Sequence, residues 1–317
     1  MKKTLLPLFL LGIALASCGG TPSTSDYTLD LKVAAPAGAP VVPLFRHINS
    51  ENLEVNADPA NVIAYFSASS NKDVIIAPTN AGLKAIQSTS APYKIAATIT
   101  FGNFYFAGTG HDENKTLDPS DYVVVFQKNN VPDKLFQYVY GDTGLTNVHY
   151  VTAASDAATC LISGKNISDN NAEVDYVLMA EPALNNALSK NANAYEYASI
   201  QEEFKKKSGG KEITQASVFV SSSLEKAKAD AFLNALEQDV NAFLNNPKVL
   251  ETYIVSEQDQ KTAQSKFSAP VAMLEKMASS NNRMGLGYKK AVDNKEAIKN
   301  FVSLFGINSI DEETYYK

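Results

Sequence analysis

The chain has 317 residues, 45% of them hydrophobic, long enough to bury the cores of two α/β lobes. It carries 28 basic against 34 acidic side chains, a net charge of −6. With Lys205-Lys206-Lys207 as its one basic run, following Glu202-Glu203, it is a poor partner for nucleic acid.

The chain begins with Lys2-Lys3 and an apolar run from Leu5 to Ala16, too short for a mature membrane span. Small residues follow, Ala16-Ser17-Cys18-Gly19, so residues 1–17 are expected to be a signal peptide. The Leu15-Ala16-Ser17-Cys18 run resembles the bacterial lipobox, which implies lipidation of Cys18 as the new N-terminus and a polar tether over residues 18–26. Loss of Lys2 and Lys3 leaves 26 basic residues against 34, or −8, in the mature chain. Cys160, the second of two cysteines, lies in an apolar helix-like run and reads as a buried structural thiol.

Leu31 to Ile48 reads as strand, bare turn and apolar helix, with Pro36-Ala37-Gly38-Ala39-Pro40 as the turn. Almost without side chains, that turn lets a ligand approach backbone amides at a helix start. It serves equally as a plain strand-to-helix connection. Leu53–Asn56 is a second strand, and Asp58-Pro59 caps a helix running through Phe66. Asp73–Ala77 is a buried strand followed by Pro78-Thr79-Asn80 and a helix. Thr79 and Asn80 cannot both cap that helix, which leaves one for a ligand. Lys94 to Thr109 alternates as a strand, with a bend or cleft-facing bulge at Thr100–Phe106. There Phe101, Asn103 and Phe104 form either an aromatic wall with one hydrogen-bonding group or ordinary core.

Polar Gly108–Ser120 marks the first crossing between lobes, giving lobe I as 27–108, lobe II as 109–212 and a return to lobe I with C-terminal helices over 213–317. Tyr122–Phe126, Asn147–Thr152 and Val174–Met179 are the strands of lobe II. Gln127, Asn129 and Asn130 open one helix, where they bind polar ligand atoms or, for Asn130, cap the helix. Glu181-Pro182 opens another, and Glu181 either answers the helix dipole or accepts from a ligand N–H or hydroxyl. Asn193–Ser199 is a return strand or loop. Ala216–Val220 is a strand, and Ser222 with Glu225 forms a capping box ahead of a helix reaching Leu244. Helices over 249–255, 258–267, 271–278 and 295–305 complete the chain. Arg283, beside Arg46 the only arginine, sits in a loop, where it pairs with a ligand carboxylate or sulfonate, pairs with Glu181 itself, or stands on the surface.

Four strand-end turns of this kind are expected to meet at one sheet edge, where parallel α/β sheets bind ligands, so that Gly38, Thr79, Asn129 and Glu181 share a crevice. The lipobox, the bare first turn, Asp-Val-Ile-Ile-Ala-Pro-Thr-Asn at 73–80 and Val-Asp-Tyr-Val-Leu-Met-Ala-Glu-Pro at 174–182 together resemble solute-binding proteins of ABC transporters. The nearest branch is the nitrate/sulfonate/thiamine-precursor-like group. That group also tends to end in a helix and an acidic-aromatic tail, here Asp311 to Tyr316. The resemblance implies a two-lobed periplasmic-binding-protein type II fold. Each lobe would be a mostly parallel sheet flanked by helices, with a helical C-terminal segment. It further implies a small-molecule ligand, ABC permease subunits as partners, no cofactor, and a monomer held to the membrane by lipid on Cys18. The chain departs from the pattern in lacking tryptophan, so no indole stacks in its cleft. A sensing or adhesive lipoprotein of the same fold is the alternative. Catalysis has little support: His47, His111 and His149 are the only histidines and give no metal-ligand spacing, and no nucleophile elbow or phosphate loop occurs.

Overall fold

A computed structural model describes residues 26–110 and 116–317. The expectations for the signal peptide and for Cys18 fall outside the described residues.

The first lobe opens with β1 (Val33–Pro36), β2 (Leu53–Asn56), α1 (Pro59–Ile63), β3 (Val74–Pro78), α2 (Thr79–Thr89) and β4 (Tyr93–Thr100). Between β1 and β2 the expected apolar helix takes the form of a 3₁₀ helix, Ala39–His47. Pro40 and Pro43 each lack the N–H that an α-helical ladder requires, and the tighter helix tolerates their spacing. Asp58 caps α1 as expected, accepting from Ala60 N at 2.9 Å.

The second lobe comprises β5 (Phe104–Gly108), β6 (Val123–Phe126), α3 (Val131–Tyr140), β7 (Val148–Val151), α4 (Ala154–Ser163), a small hairpin of β8 (Lys165–Asn166) and β9 (Ala172–Glu173), then β10 (Tyr176–Ala180), α5 (Ala183–Leu188), β11 (Tyr195–Ser199) and α6 (Ile200–Lys207). Cys160 lies buried on α4 as a free thiol, and burial raises its pKa. The chain returns to the first lobe with β12 (Ala216–Ser221), α7 (Lys226–Asn245), α8 (Val249–Tyr253), α9 (Glu257–Phe267), α10 (Val271–Ser279), β13 (Leu286–Lys290) and α11 (Lys295–Ser303). The Ser222–Glu225 capping box does not form. Ser222 N–H goes to Pro92 O at 2.7 Å, and α7 starts only at Lys226.

The two sheets have the strand orders β13-β4-β12-β3-β1-β2 and β11-β5-β10-β6-β7. In the first, β1, β2 and β3 run parallel, and β12, arriving from the other lobe, lies antiparallel between β3 and β4. In the second, β6, β7 and β10 run parallel, and β5, arriving from the first lobe, lies antiparallel between β10 and β11. Both lobes therefore share one five-strand order: second, first and third strands, then an inserted crossover strand, then the fourth, with β13 added at the edge of the first sheet alone. Sheet membership puts the first crossing at Phe101–Asn103, not in the polar stretch after Gly108, because β4 pairs with β12 and β5 with β10.

The sheet of the first lobe is covered on both faces, which its near-continuous apolar strands require. Val33, Ala35, Val74, Ile76, Val218 and Val220 enter one core, whereas Ala34, Ile75, Ala77 and Phe219 enter the other, all of them fully buried. This is the two-residue period of a strand, sorted between two helical layers.

Candidate ligand-binding cleft

A cavity of about 540 Å³ opens between the two sheets at the edge where the carboxyl ends of the parallel strands collect. The first lobe contributes Asp58, Pro59, Ala60 and Ile63 from α1, Pro78, Asn80 and Ala81 from the β3–α2 junction, and Gln215 at the foot of β12. The second contributes Phe104, Phe126, Gln127, Asn130, Val131, Pro132 and Ala180. Asn103 lines it from the crossover itself.

The β6–α3 turn owes its shape to Gln127 and Asn129, both left-handed at φ 54° and 64°. Asparagine tolerates that region better than most side chains. Asn130 accepts from Val131 N at 2.8 Å and so acts as the cap while facing the cavity. Asn129 does not line it; its N–H is held by Asp133 Oδ2 at 2.7 Å.

At the β3–α2 junction the two candidates divide. Thr79 is fully buried, its hydroxyl 2.7 Å from Ser217 Oγ and its N–H on Gln215 O. Asn80 lines the cavity, and its Oδ1 is buried without a partner among the described residues.

Asn103 and Glu181 extend the β5–β10 ladder by one step. Glu181 N–H donates to Asn103 O, and Asn103 Nδ2 donates to Glu181 O, both at 2.9 Å. Asn103 Oδ1 is left buried and unpartnered among the described residues. The Glu181 carboxylate turns away from the cavity and is fully buried. It accepts from Arg283 Nε at 2.6 Å and from Asn185 N at 3.0 Å. Arg283 also reaches Glu196 at 2.5 Å and lies 4.4 Å over the Tyr105 ring, so of its open readings the structure takes the pairing with Glu181. Burial lifts the Tyr105 hydroxyl to about 12, against the opposing pull of Arg283, and that hydroxyl donates to Arg283 O at 3.1 Å.

Phe101 faces a separate hollow of about 400 Å³ on the other side of the crossover, with Lys289 Nζ 5.4 Å from its ring centroid. The two hollows are divided by a tight seam. Gly285, at φ +61°, approaches Gly102 so closely that an added Cβ would stand 2.0 Å from Gly102 O. Phe101 N–H completes the seam by donating to Gly285 O at 2.7 Å.

The bare turn after β1 is the largest departure from expectation. Pro36, Ala37, Gly38 and Ala39 are not part of the cleft lining. Ala37 N–H donates to Asn56 O at 2.8 Å and Gly38 N–H to Lys266 O at 2.9 Å. Lys266 O is one of the last carbonyls of α9, which no helical N–H satisfies, so the turn caps a helix end. Thus Gly38, Thr79, Asn129 and Glu181 do not share the crevice. Asn80, Asn103, Phe104, Gln127 and Asn130 do.

The β2–α1 turn at Asp58-Pro59 carries the same strand-end signature as the others and is the lining segment that sequence had within reach. Gln215 precedes an antiparallel strand and bears no such mark. Among the described residues no cluster of three or more His, Cys, Asp or Glu is placed to hold a metal ion, and no helix is long and apolar enough to cross a membrane.

No family model and no curated relative matches this chain. Solved structures do. An ABC transporter protein from Parabacteroides distasonis is 17% identical with a TM-score of 0.70, over 90% of this chain and 98% of that one. The periplasmic aliphatic sulphonate binding protein SsuA of Escherichia coli is 12% identical with a TM-score of 0.63, over 90% and 92%. The alkanesulfonate-binding protein SsuA of Xanthomonas axonopodis pv. citri, bound to MOPS, is 15% identical with a TM-score of 0.53, over 90% and 94%. At such identities the likeness concerns architecture, and it agrees with the duplicated strand order and the cleft between the sheets: the chain has the two-lobed periplasmic-binding-protein fold of ABC-transporter solute-binding proteins.

Proposed function

We propose that this protein is an extracytoplasmic solute-binding lipoprotein that captures a small organic molecule in the interlobe cleft and delivers it to an ABC importer. The observation that carries the reading is a single cavity, about 540 Å³, walled by strand ends and helix starts of two lobes of equal topology. That volume falls within the roughly 300–1,000 Å³ of small-molecule sites. Two crossover segments joining the lobes suit closure by hinge motion. The lipobox-like Cys18 supplies the anchor and the 18–26 stretch the tether, which together place the cleft just above a membrane.

Two measurements test it. Native mass spectrometry of the gently purified full chain should show a bound small molecule that is released on denaturation. Metabolic labelling with palmitate should mark the native chain, and Cys18→Ala should abolish both the label and membrane association. A chain that carries no solute and accepts none from a metabolite library would defeat the proposal.

A further inference from the structure

We infer that the solute is not an anion: the cleft suits an uncharged organic molecule that donates hydrogen bonds and lays an apolar face against Phe104 and Phe126. This rests on the solute-binding reading above and narrows it.

Charge is the first ground. Among the described residues no Lys, Arg or His lines the cavity, and Asp58 is its one acidic side chain. An anion leaving water needs an opposite charge or a dense set of donors in exchange. Arg283, near the crossover, is already bracketed by Glu181 and Glu196. The positive end of α3 has Asp133 in its first turn and loses a donor to Pro132. At α2, Thr79 N–H is committed to Gln215 O. One acid against no base disfavours a carboxylate or sulfonate, whatever the shape of its apolar part.

The polarity of the free hydrogen-bonding groups is the second. Asn80 Oδ1, Asn103 Oδ1 and Gln215 Oε1 are buried without partners among the described residues, and all three side chains line this one cavity. Buried polar atoms are normally satisfied, so three orphans in one place point to a ligand. For Asn103 the amide orientation is fixed by chemistry. Its Nδ2 donates to the Glu181 carbonyl, which can only accept, so the atom left over is an acceptor. Asn103 Oδ1 calls for an N–H or O–H donor on the solute, and the Asn80 and Gln215 amides, each with an oxygen and an NH2 to offer, suit a neutral solute that both donates and accepts.

The aromatic pair is the third. Phe104 and Phe126 stand with ring centroids 6.2 Å apart and tilted by 42°, giving the cavity an apolar wall from the second lobe beside the amides of Asn80, Asn103 and Gln215.

The test uses the full chain and four probes that share one ring: benzamide, N,N-dimethylbenzamide, benzoate and benzenesulfonate. Affinities are read by calorimetry and ligand-observed NMR. Benzamide should bind at least tenfold more tightly than either anion. Removing its donors in the dimethyl compound should weaken binding about three- to tenfold. Asn80→Ala and Gln215→Met should weaken benzamide by a similar factor and leave the dimethyl compound unchanged, with thermal melts confirming the fold. The charge comparison needs no variant and stands if either variant fails to fold. Benzoate or benzenesulfonate binding as tightly as benzamide, and weakened by Asn80→Ala, would overturn the solute class while leaving the transport role intact. If no probe of either charge enters the cleft, the solute class falls, while the transport role stands or falls by the native mass spectrometry and metabolite library above.

Discussion

Arg283 shows how the loss of one side chain would be felt at the junction of the lobes. Its partner Glu181 has a fully buried carboxylate, and removing the cation leaves that charge with only the Asn185 N–H. Breaking such a pair is far more damaging than replacing both members, since the surviving charge stays desolvated. Arg283→Ala is therefore expected to lower stability by about 3 kcal/mol, and adding Glu181→Gln should restore a good part of it. Urea titration of the single and double variants checks this, and a double variant no more stable than Arg283→Ala would refute it. His47 makes a second prediction. It ends the 3₁₀ helix, a place that favours a cation, yet burial first and the Arg46 charge second push its pKa down to about 4. The unfolded chain thus takes up a proton near the ordinary 6.5 while the folded one resists. Stability from this residue is complete above that value and is lost as pH falls through the window to about 4. The loss is on the order of 2–3 kcal/mol. His47→Gln should flatten the pH dependence of the urea midpoint in that window, and an unchanged slope would refute the assignment.

Among the elements, what could be read beforehand was whatever local chemistry decides. β3, β6 and β10 are short apolar runs bounded by turn residues, and the helices after them start where Asn and Pro allow. Hence the placement of Asn80, Gln127 and Asn130 at strand ends, where they line the cleft, was legible. The crossover was less so, because the bend at Thr100–Phe106 sits inside a stretch, Lys94–Thr109, that otherwise reads as one strand. Only pairing shows that Thr100 belongs with β12 and Phe104 with β10. Gly102, at φ +102°, was the one local sign of the break. β13 escaped notice because Leu286–Lys290 contains Gly287 and holds to β4 through an irregular register. The turn after β1 misled for the same reason in reverse. Its bareness is local, but the carbonyl that takes up Gly38 N–H comes from α9, far along the chain. Gln215 faces the cleft only because β12 is threaded antiparallel between β3 and β4, a tertiary fact with no counterpart in a strand-turn-helix pattern.

For the molecule as a whole, two lobes of one topology meet across a cavity and are held together at its back by the Gly102–Gly285 seam and the Arg283 bridge. A ligand that touches both walls binds only the folded, two-lobed state, so it must stabilise that state by mass action. At a hundred times its dissociation constant, benzamide should add about 2.7 kcal/mol. For a chain of this size that is a rise in melting temperature of roughly 5 °C. The rise should shrink in Asn80→Ala at the same benzamide concentration, because the variant reduces saturation and leaves the cavity wall otherwise intact. Lys205→Ala, in the second hollow behind the crossover, should leave the rise unchanged, because that hollow opens on the opposite side of the seam. Differential scanning calorimetry of the three proteins with and without benzamide separates the two hollows directly. A rise abolished by Lys205→Ala and untouched by Asn80→Ala would move the binding site to the second hollow. Small-angle scattering adds a geometric reading: benzamide should reduce the radius of gyration of the native chain if the lobes close about the seam, and should leave Asn80→Ala closer to its ligand-free value.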